Sequence, residues 1–292
     1  MLKELASAHA VVKDTFAAAS QVLGYDLWSL VQNGPDEELN QTAKTQPAML
    51  AAGVAVWRVW RALGGAEPAV MAGHSLGEYT ALVCADSLGF EDAVALVAER
   101  GRLMQEAVPA GQGAMAAILG LDDNQVRAVC AAAAQGEVVA AVNFNSPGQV
   151  VVAGHAAAVQ RAMTIAKQTG AKRALALAVS APSHCDLMLP AAEQLAERLS
   201  TVTVNAPRIP VLHNADVKSH NDAVAIRAVL VRQLHQPVRW VETIQAMRTL
   251  GVSKVLECGP GKVLAGLIKR IDATLVALPV YDTATLQQAL DG

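Results

Sequence analysis

Aromatic residues make up only 3% of the 292-residue chain and charged residues 17%, while hydrophobic residues reach 53%. So little charge on so much apolar side chain excludes a disordered polypeptide. A core poor in rings is filled by Ala, Val and Leu, which suits close packing of helices on sheets. The chain also lacks a basic block, and its net charge of −3 argues against a nucleic-acid partner. No apolar run approaches the roughly 20 residues of a membrane span, and no signal-peptide pattern precedes the first helical stretch. The four cysteines, Cys84, Cys130, Cys185 and Cys258, show no C-x-x-C spacing. They read as reduced, mostly buried thiols of a cytoplasmic protein. No cluster of His, Cys, Asp and Glu has the spacing of a metal site.

What the sequence does carry is centred on Gly73-His74-Ser75-Leu76-Gly77. An apolar run, 69–72, precedes it, and residues 78–85 follow with helical spacing. Strand, glycine-flanked serine and helix together make the nucleophile-elbow pattern. The turn is sharp enough for neighbouring side chains to clash, hence the glycines. It lifts the serine hydroxyl clear of the sheet and aims the Leu76 N–H at the reaction site.

The chain opens with a helical pattern at 1–6 and no strand in front of it, which is unusual for an α/β domain. Helices are predicted at 13–23, at 48–63 with Pro47 in the first turn, and at 90–106. After Pro109-Ala110-Gly111 the pattern changes. Strand at 114–119, helix at 123–135, strands at 138–144 and 150–153, helix at 156–169 and strand at 172–179 give β-α-β-β-α-β, the ferredoxin-like unit. Helix then alternates with strand again: helices at 190–199, 223–234, 238–250 and 261–271, strands at 210–213, 254–257 and 275–278, and a last helix from 283. This predicts an α/β fold, with an α/β-hydrolase-like parallel-sheet core over 1–110 and 181–292 and an inserted ferredoxin-like subdomain over 111–180. The parallel sheet should be covered on both faces.

A serine nucleophile needs a base, and His184 is the best placed of seven histidines, just where the chain leaves the insert. On residues alone it is either that base or a hydrogen-bonded loop histidine. His74 adjoins the serine, but successive side chains point apart, so it reads as positioning. Asp86, Asp92, Asp122 and Asp123 fall between Ser75 and His184 without following a convincing sheet strand. A backbone or amide carbonyl is the alternative partner for the imidazole. Arg100, mid-helix, is either a solvated arginine or a ligand for an anion. Lys262, in Cys258-Gly259-Pro260-Gly261-Lys262, fails the phosphate-loop pattern, because Leu256 and Val263 stand where glycine and Ser/Thr belong.

Gly73-His74-Ser75-Leu76-Gly77-Glu78-Tyr79, Arg100-Gly101-Arg102-Leu103-Met104-Gln105, 143–149, Ser180-Ala181-Pro182-Ser183-His184 and Gly259-Pro260-Gly261-Lys262 resemble, in order and over essentially the whole chain, the malonyl-CoA:acyl carrier protein transacylases of bacterial fatty-acid synthesis. The resemblance implies an S-malonyltransferase with Ser75 as nucleophile, His184 as base and the backbone carbonyl of Gln233 orienting the imidazole. Leu76 N–H is then one oxyanion donor. Arg100 pairs with the malonyl carboxylate, and Gln46, His74 and Asn143 complete the substrate site. Malonyl-CoA is a substrate and no cofactor is implied. The partners are acyl carrier protein and coenzyme A thioesters, and the chain is read as a monomer. Family members begin with a strand and a Gly-Gln-Gly-Ser-Gln loop supplying a second oxyanion donor. Neither is present here, so the expectation is a less stable and slower chain than one so extended. The competing readings are a serine thioesterase or esterase, which gains nothing from an arginine clamp, and a catalytically impaired form.

Overall fold

A computed structural model describes residues 1–178 and 181–291. The chain begins with helices α1 (Lys3–Ala8), α2 (Ala10–Leu23), α3 (Leu27–Asn33), α4 (Asp36–Leu39) and α5 (Thr42–Ala62). Gly24 ends α2 at φ 74°, and the Asp26 carboxylate caps α3 by accepting from Ser29 N–H at 2.8 Å. Helix α5 starts earlier than its proline suggested, at Thr42, so Pro47 lies inside it. The helix absorbs the missing N–H because its flank is buried against its neighbours.

Strand β1 (Met71–Ala72) enters the elbow, followed by α6 (Gly77–Cys84) and α7 (Phe90–Ala107). Two glycines set how closely these helices approach. A Cβ on Gly53 of α5 would stand 2.7 Å from Thr80 Cγ2, and one on Gly101 of α7 would stand 2.6 Å from the Thr42 carbonyl. The second contact brings α7, which carries Arg100, against the start of α5, which carries Gln46.

Next come β2 (Gly113–Leu119), α8 (Asp123–Ala134), β3 (Val139–Ser146), β4 (Gln149–His155), α9 (Ala156–Gln168) and β5 (Arg173–Ala176). Asp122 and Gln125 close a reciprocal capping box at the start of α8. The four strands form an antiparallel sheet in the order β3-β4-β2-β5. Its alternating side chains divide cleanly. Ala116, Ile118, Phe144, Val150 and Val152 face α8 and α9 in one apolar core. Met115, Val142, Val151 and Ala153 face the other way and pack on Cys185. That second face seats the chain immediately after His184. The predicted last strand runs to 179, and Val179 and Ser180 lie outside the described residues.

The remainder comprises α10 (Leu189–Ser200), β6 (Val211–Leu212), α11 (Ala223–His235), α12 (Trp240–Thr249), β7 (Lys254–Cys258), α13 (Val263–Ile271), β8 (Val276–Val280) and α14 (Thr283–Asp291). Val238 and Arg239, expected to be helical, precede α12 instead, because Val238 bridges to Asn143 of β3. The expected continuous parallel sheet is two parallel pairs, β1 with β6 and β7 with β8, sharing no ladder among the described residues. Alternating helices and strands dictate parallel pairing but not which strands share an edge. Helices α12 and α13 cover β7–β8 through Trp240, Ile244, Ala265 and Ile268, while the large core gathers around α5, α6 and α7.

Candidate active site

Ser75 sits at φ 51°, a left-handed conformation that few side chains adopt outside tight functional turns. Gly73 makes the turn feasible, since a Cβ there would lie 1.9 Å from the Gly77 carbonyl carbon. Asn214, just beyond β6, staples the turn from both sides. Its Oδ1 accepts the Ser75 N–H at 2.7 Å, and its Nδ2 donates to the Gly73 carbonyl at 2.7 Å. The Leu76 N–H, at the mouth of α6, donates to no backbone carbonyl among the described residues.

His184 also has positive φ, 65°, and is 3% exposed. Two carbonyls from the last turn of α11 hold it. Its backbone N–H donates to Leu234 at 3.1 Å and its Nδ1 to Gln233 at 2.7 Å. Both acceptors belong to the carbonyls a helix end leaves unpaired, where the helix dipole is negative. A carbonyl only accepts, so Nδ1 carries the hydrogen and Nε2 is bare. Ser75 Oγ lies 2.8 Å from that nitrogen and donates to it. Burial, and next the Arg100 charge, push the imidazole down to about 3. It is therefore neutral and able to accept a proton at neutral pH. None of the four aspartates weighed from the sequence fills the acid's place. Asp86 pairs with Arg208, and Asp122 caps α8.

Arg100 is 1% exposed, and its partners are all uncharged. Nη1 donates to Gln46 Oε1 at 2.6 Å, and Nη2 donates to Gln233 Oε1 at 3.0 Å and to Ser75 Oγ at 3.2 Å. Its Nε has no hydrogen-bond partner among the described residues. The solvated-arginine reading thus gives way to a buried guanidinium touching the nucleophile. Burial lowers its proton affinity, opposed by the neighbouring Tyr79 phenol and the Glu78 carboxylate.

The predicted residues Ser75, His184, Gln233, Leu76, Arg100 and Gln46 therefore meet at one point. His74 reaches away from it, its Nε2 donating to Asn145 Oδ1 of β3 at 2.8 Å, beside the Trp240 ring. It ties the elbow to the small sheet. Asn143 stands outside this network, its Oδ1 buried without a partner among the described residues where β3 bridges Val238. Sequence reasoning missed Asn145, Asn214, His213 and Glu78. The last is wholly buried, its carboxylate accepting from His213 Nδ1, Asn214 N–H and Gln233 Nε2 at 2.7, 2.8 and 3.1 Å. A carboxylate heading the mostly apolar run Tyr79 to Cys84 was the available signal.

Among the described residues no group of His, Cys, Asp and Glu could hold a metal ion. No helix of the structure is long and apolar enough to cross a membrane.

Comparison with known proteins agrees with this geometry. Residues 1–278 match the family described as acyl transferase domain. The chain is 56% identical over 291 residues to the malonyl CoA-acyl carrier protein transacylase of Escherichia coli K12, covering 100% of this chain and 94% of that one. With its Bacillus subtilis counterpart it shares 42% over 291 residues, 99% of this chain and 92% of the other. Among solved structures, an acyl carrier protein S-malonyltransferase from Vibrio cholerae superposes with a TM-score of 0.97 at 60% identity, covering 99% and 94% of the two chains. A malonyl-transacylase in complex with a type II PKS acyl-carrier protein gives 0.99 at 58% identity, covering 100% and 94%. A buried Ser–His pair beside an arginine that touches no carboxylate, on a chain alike over its whole length to these proteins, places it in one family: the chain belongs to the acyl transferases.

Proposed function

We propose that this chain transfers the malonyl group from malonyl-CoA to the phosphopantetheine thiol of acyl carrier protein through a malonyl-Ser75 intermediate. The observation that carries the reading is Arg100, buried, free of any carboxylate partner and in contact with Ser75 Oγ. A guanidinium that touches the nucleophile can meet a carboxylate one methylene from the reacting carbonyl. That is the spacing in a malonyl group. An isolated buried cation is costly, so the site favours an anionic acyl group over a neutral one.

In the first half-reaction His184 Nε2 takes the Ser75 proton as Oγ attacks the thioester carbonyl. Leu76 N–H donates to the oxyanion, and coenzyme A leaves with the proton. In the second, His184 takes the proton of the incoming carrier thiol, whose sulfur attacks the malonyl ester carbonyl, and returns it to the departing Ser75 Oγ. The Gln233 and Leu234 carbonyls steady the transient imidazolium from the α11 terminus. Arg100 holds the carboxylate throughout with its planar fork, and Gln46 holds Arg100.

The strand order β3-β4-β2-β5 with α8 and α9 on one face supports a ferredoxin-like subdomain over 111–180. The elbow and its parallel strands support an α/β-hydrolase-like core over 1–110 and 181–292. The reading takes the protein as a cytoplasmic monomer that uses acyl carrier protein and coenzyme A thioesters and needs no cofactor. Intact-mass measurement after malonyl-CoA and acetyl-CoA are offered separately tests it. A malonyl adduct that transfers to carrier protein is expected. Release of free malonate with no carrier product would favour the thioesterase reading, and absence of any adduct the impaired one.

A further inference from the structure

Glu78 has no part in the steps above, yet it is completely buried, in the first turn of α6 where the helix dipole favours negative charge. The Gln233 amide joins it to Arg100. Gln233 Oε1 accepts from Arg100 Nη2 at 3.0 Å, and Gln233 Nε2 donates to Glu78 Oε2 at 3.1 Å and to the Ser75 carbonyl at 2.8 Å. The chemistry fixes this orientation. Flipped, the amide would set donors against the guanidinium and an oxygen against the carboxylate. A buried cation and a buried anion thus lie at opposite ends of one amide, its dipole aligned between them.

A direct ion pair would fill the arginine fork, and an incoming carboxylate would have to displace it. With no anion nearby, the guanidinium would be an isolated charge in a dry cleft. The arrangement seen lies between these. Arg100 is compensated at a distance, and its Nε has no hydrogen-bond partner among the described residues. The geometry points to Glu78 as the distant countercharge of Arg100, a positioning residue that offsets the buried guanidinium without occupying its fork and so tempers how tightly a carboxylated acyl group is held relative to a neutral one. This rests on the malonyl reading for its substrate and on the network alone for its charge balance.

Glu78→Gln removes the charge at nearly constant shape. Taking an anion away from an anion site strengthens the hold on the substrate carboxylate. The KM for malonyl-CoA is expected to fall about 3–10-fold relative to that for acetyl-CoA. The Ki of free malonate should fall by the same factor, and malonyl kcat should drop as the intermediate is held too well. Glu78→Asp keeps the charge and should hold the malonyl-to-acetyl KM ratio within about twofold of the parent. Equal changes in the two KM values in Glu78→Gln would overturn the proposal.

Thermal melts of Glu78→Gln, Arg100→Gln and the double variant test the charge balance without turnover. Each single variant removes one of the two buried charges, Glu78 keeping its contacts with His213, Asn214 and Gln233 in Arg100→Gln, so the double should melt higher than the sum of the two losses predicts. A Glu78→Gln chain that folds only together with Arg100→Gln also supports the pairing. Additive losses overturn it, as does failure of both Glu78 variants beside a folded Arg100→Gln. If the parent forms no malonyl adduct, the malonyl reading fails while the melts still decide the pairing.

Discussion

The Nδ1–H of His184 ends on the main-chain carbonyl of Gln233, 2.7 Å away, and the next carbonyl, of Leu234, takes the His184 backbone N–H. One helix terminus thereby fixes both the tautomer and the position of the imidazole, the task an aspartate performs in a Ser-His-Asp triad. Because the acceptor is backbone, no side-chain substitution deletes it.

The exposed Asp86 and Asp92 should accordingly be dispensable. Asp86→Asn and Asp92→Asn are expected to form the malonyl adduct at rates within about twofold of the parent, as surface changes usually do. His184→Ala should slow adduct formation by about 10²-fold or more, and Ser75→Ala should abolish it. Quenched-flow mass measurement reads all four. A large loss in either aspartate variant would mean that an acid reaches the imidazole during turnover.

The two glycines of the elbow are not equivalent. A Cβ on Gly73 would stand 1.9 Å from the Gly77 carbonyl carbon, whereas one on Gly77 meets nothing within 4 Å. Gly73→Ala must therefore push the turn apart, breaking the Asn214 staple, and is expected to cost several kcal/mol or prevent folding. Gly77→Ala should change stability by less than about 1 kcal/mol. Denaturant melts separate the two, and equal losses would refute the steric account.

Much of this was legible in the sequence because it is local. A strand, a glycine-flanked serine and a helix within some dozen residues announce the elbow, and periodicity placed most of the longer helices, while the short α3 and α4 went unread and α5 starts at Thr42 rather than 48. The β-α-β-β-α-β order of the small sheet could be read because hairpins and helix crossings leave compact patterns. The supports of the site were not legible. Asn214 lies 139 residues from Ser75, and Gln233 lies 155 from Glu78. Only packing reveals that these amides reach the elbow. The split of the parallel strands into two pairs was hidden for the same reason, since a ladder partner leaves no mark on a short apolar run. Arg100 shows the limit most clearly: its sequence suits a solvated helix face, and Gly101, by admitting α5, is what buries it.

Stability should carry the signature of His184. Its folded-state value near 3 arises from burial and then from Arg100, against about 6.5 in an unfolded chain. Between these values the unfolded chain binds a proton that the folded chain excludes, so stability rises with pH across the window and is lost as pH falls below about 6.5. His74, lowered by burial, acts in the same direction. The melting temperature of His184→Gln is expected to fall less steeply than that of the parent between about pH 6.5 and pH 4. Parallel curves would show that the imidazole is protonated within the fold.

Substrate choice turns on Arg100. Replacing it with alanine removes the group that meets the acyl carboxylate and leaves Gln46 Oε1 and Gln233 Oε1 without their donor. Ser75 and His184 keep their own contact. Malonyl transfer should therefore fall by about 10²-fold or more, the cost of losing a buried charge-assisted contact. Transfer from acetyl-CoA should persist or rise, because a neutral acyl group no longer faces a desolvated cation. Lysine should restore malonyl transfer only in part: one ammonium cannot bond Gln46, Gln233 and a substrate carboxylate at once in the geometry of a planar fork. Parallel assays of the two thioesters with the parent, Arg100→Ala and Arg100→Lys decide the matter. Equal loss for malonyl-CoA and acetyl-CoA would assign Arg100 to holding the pocket together rather than to reading the acyl group.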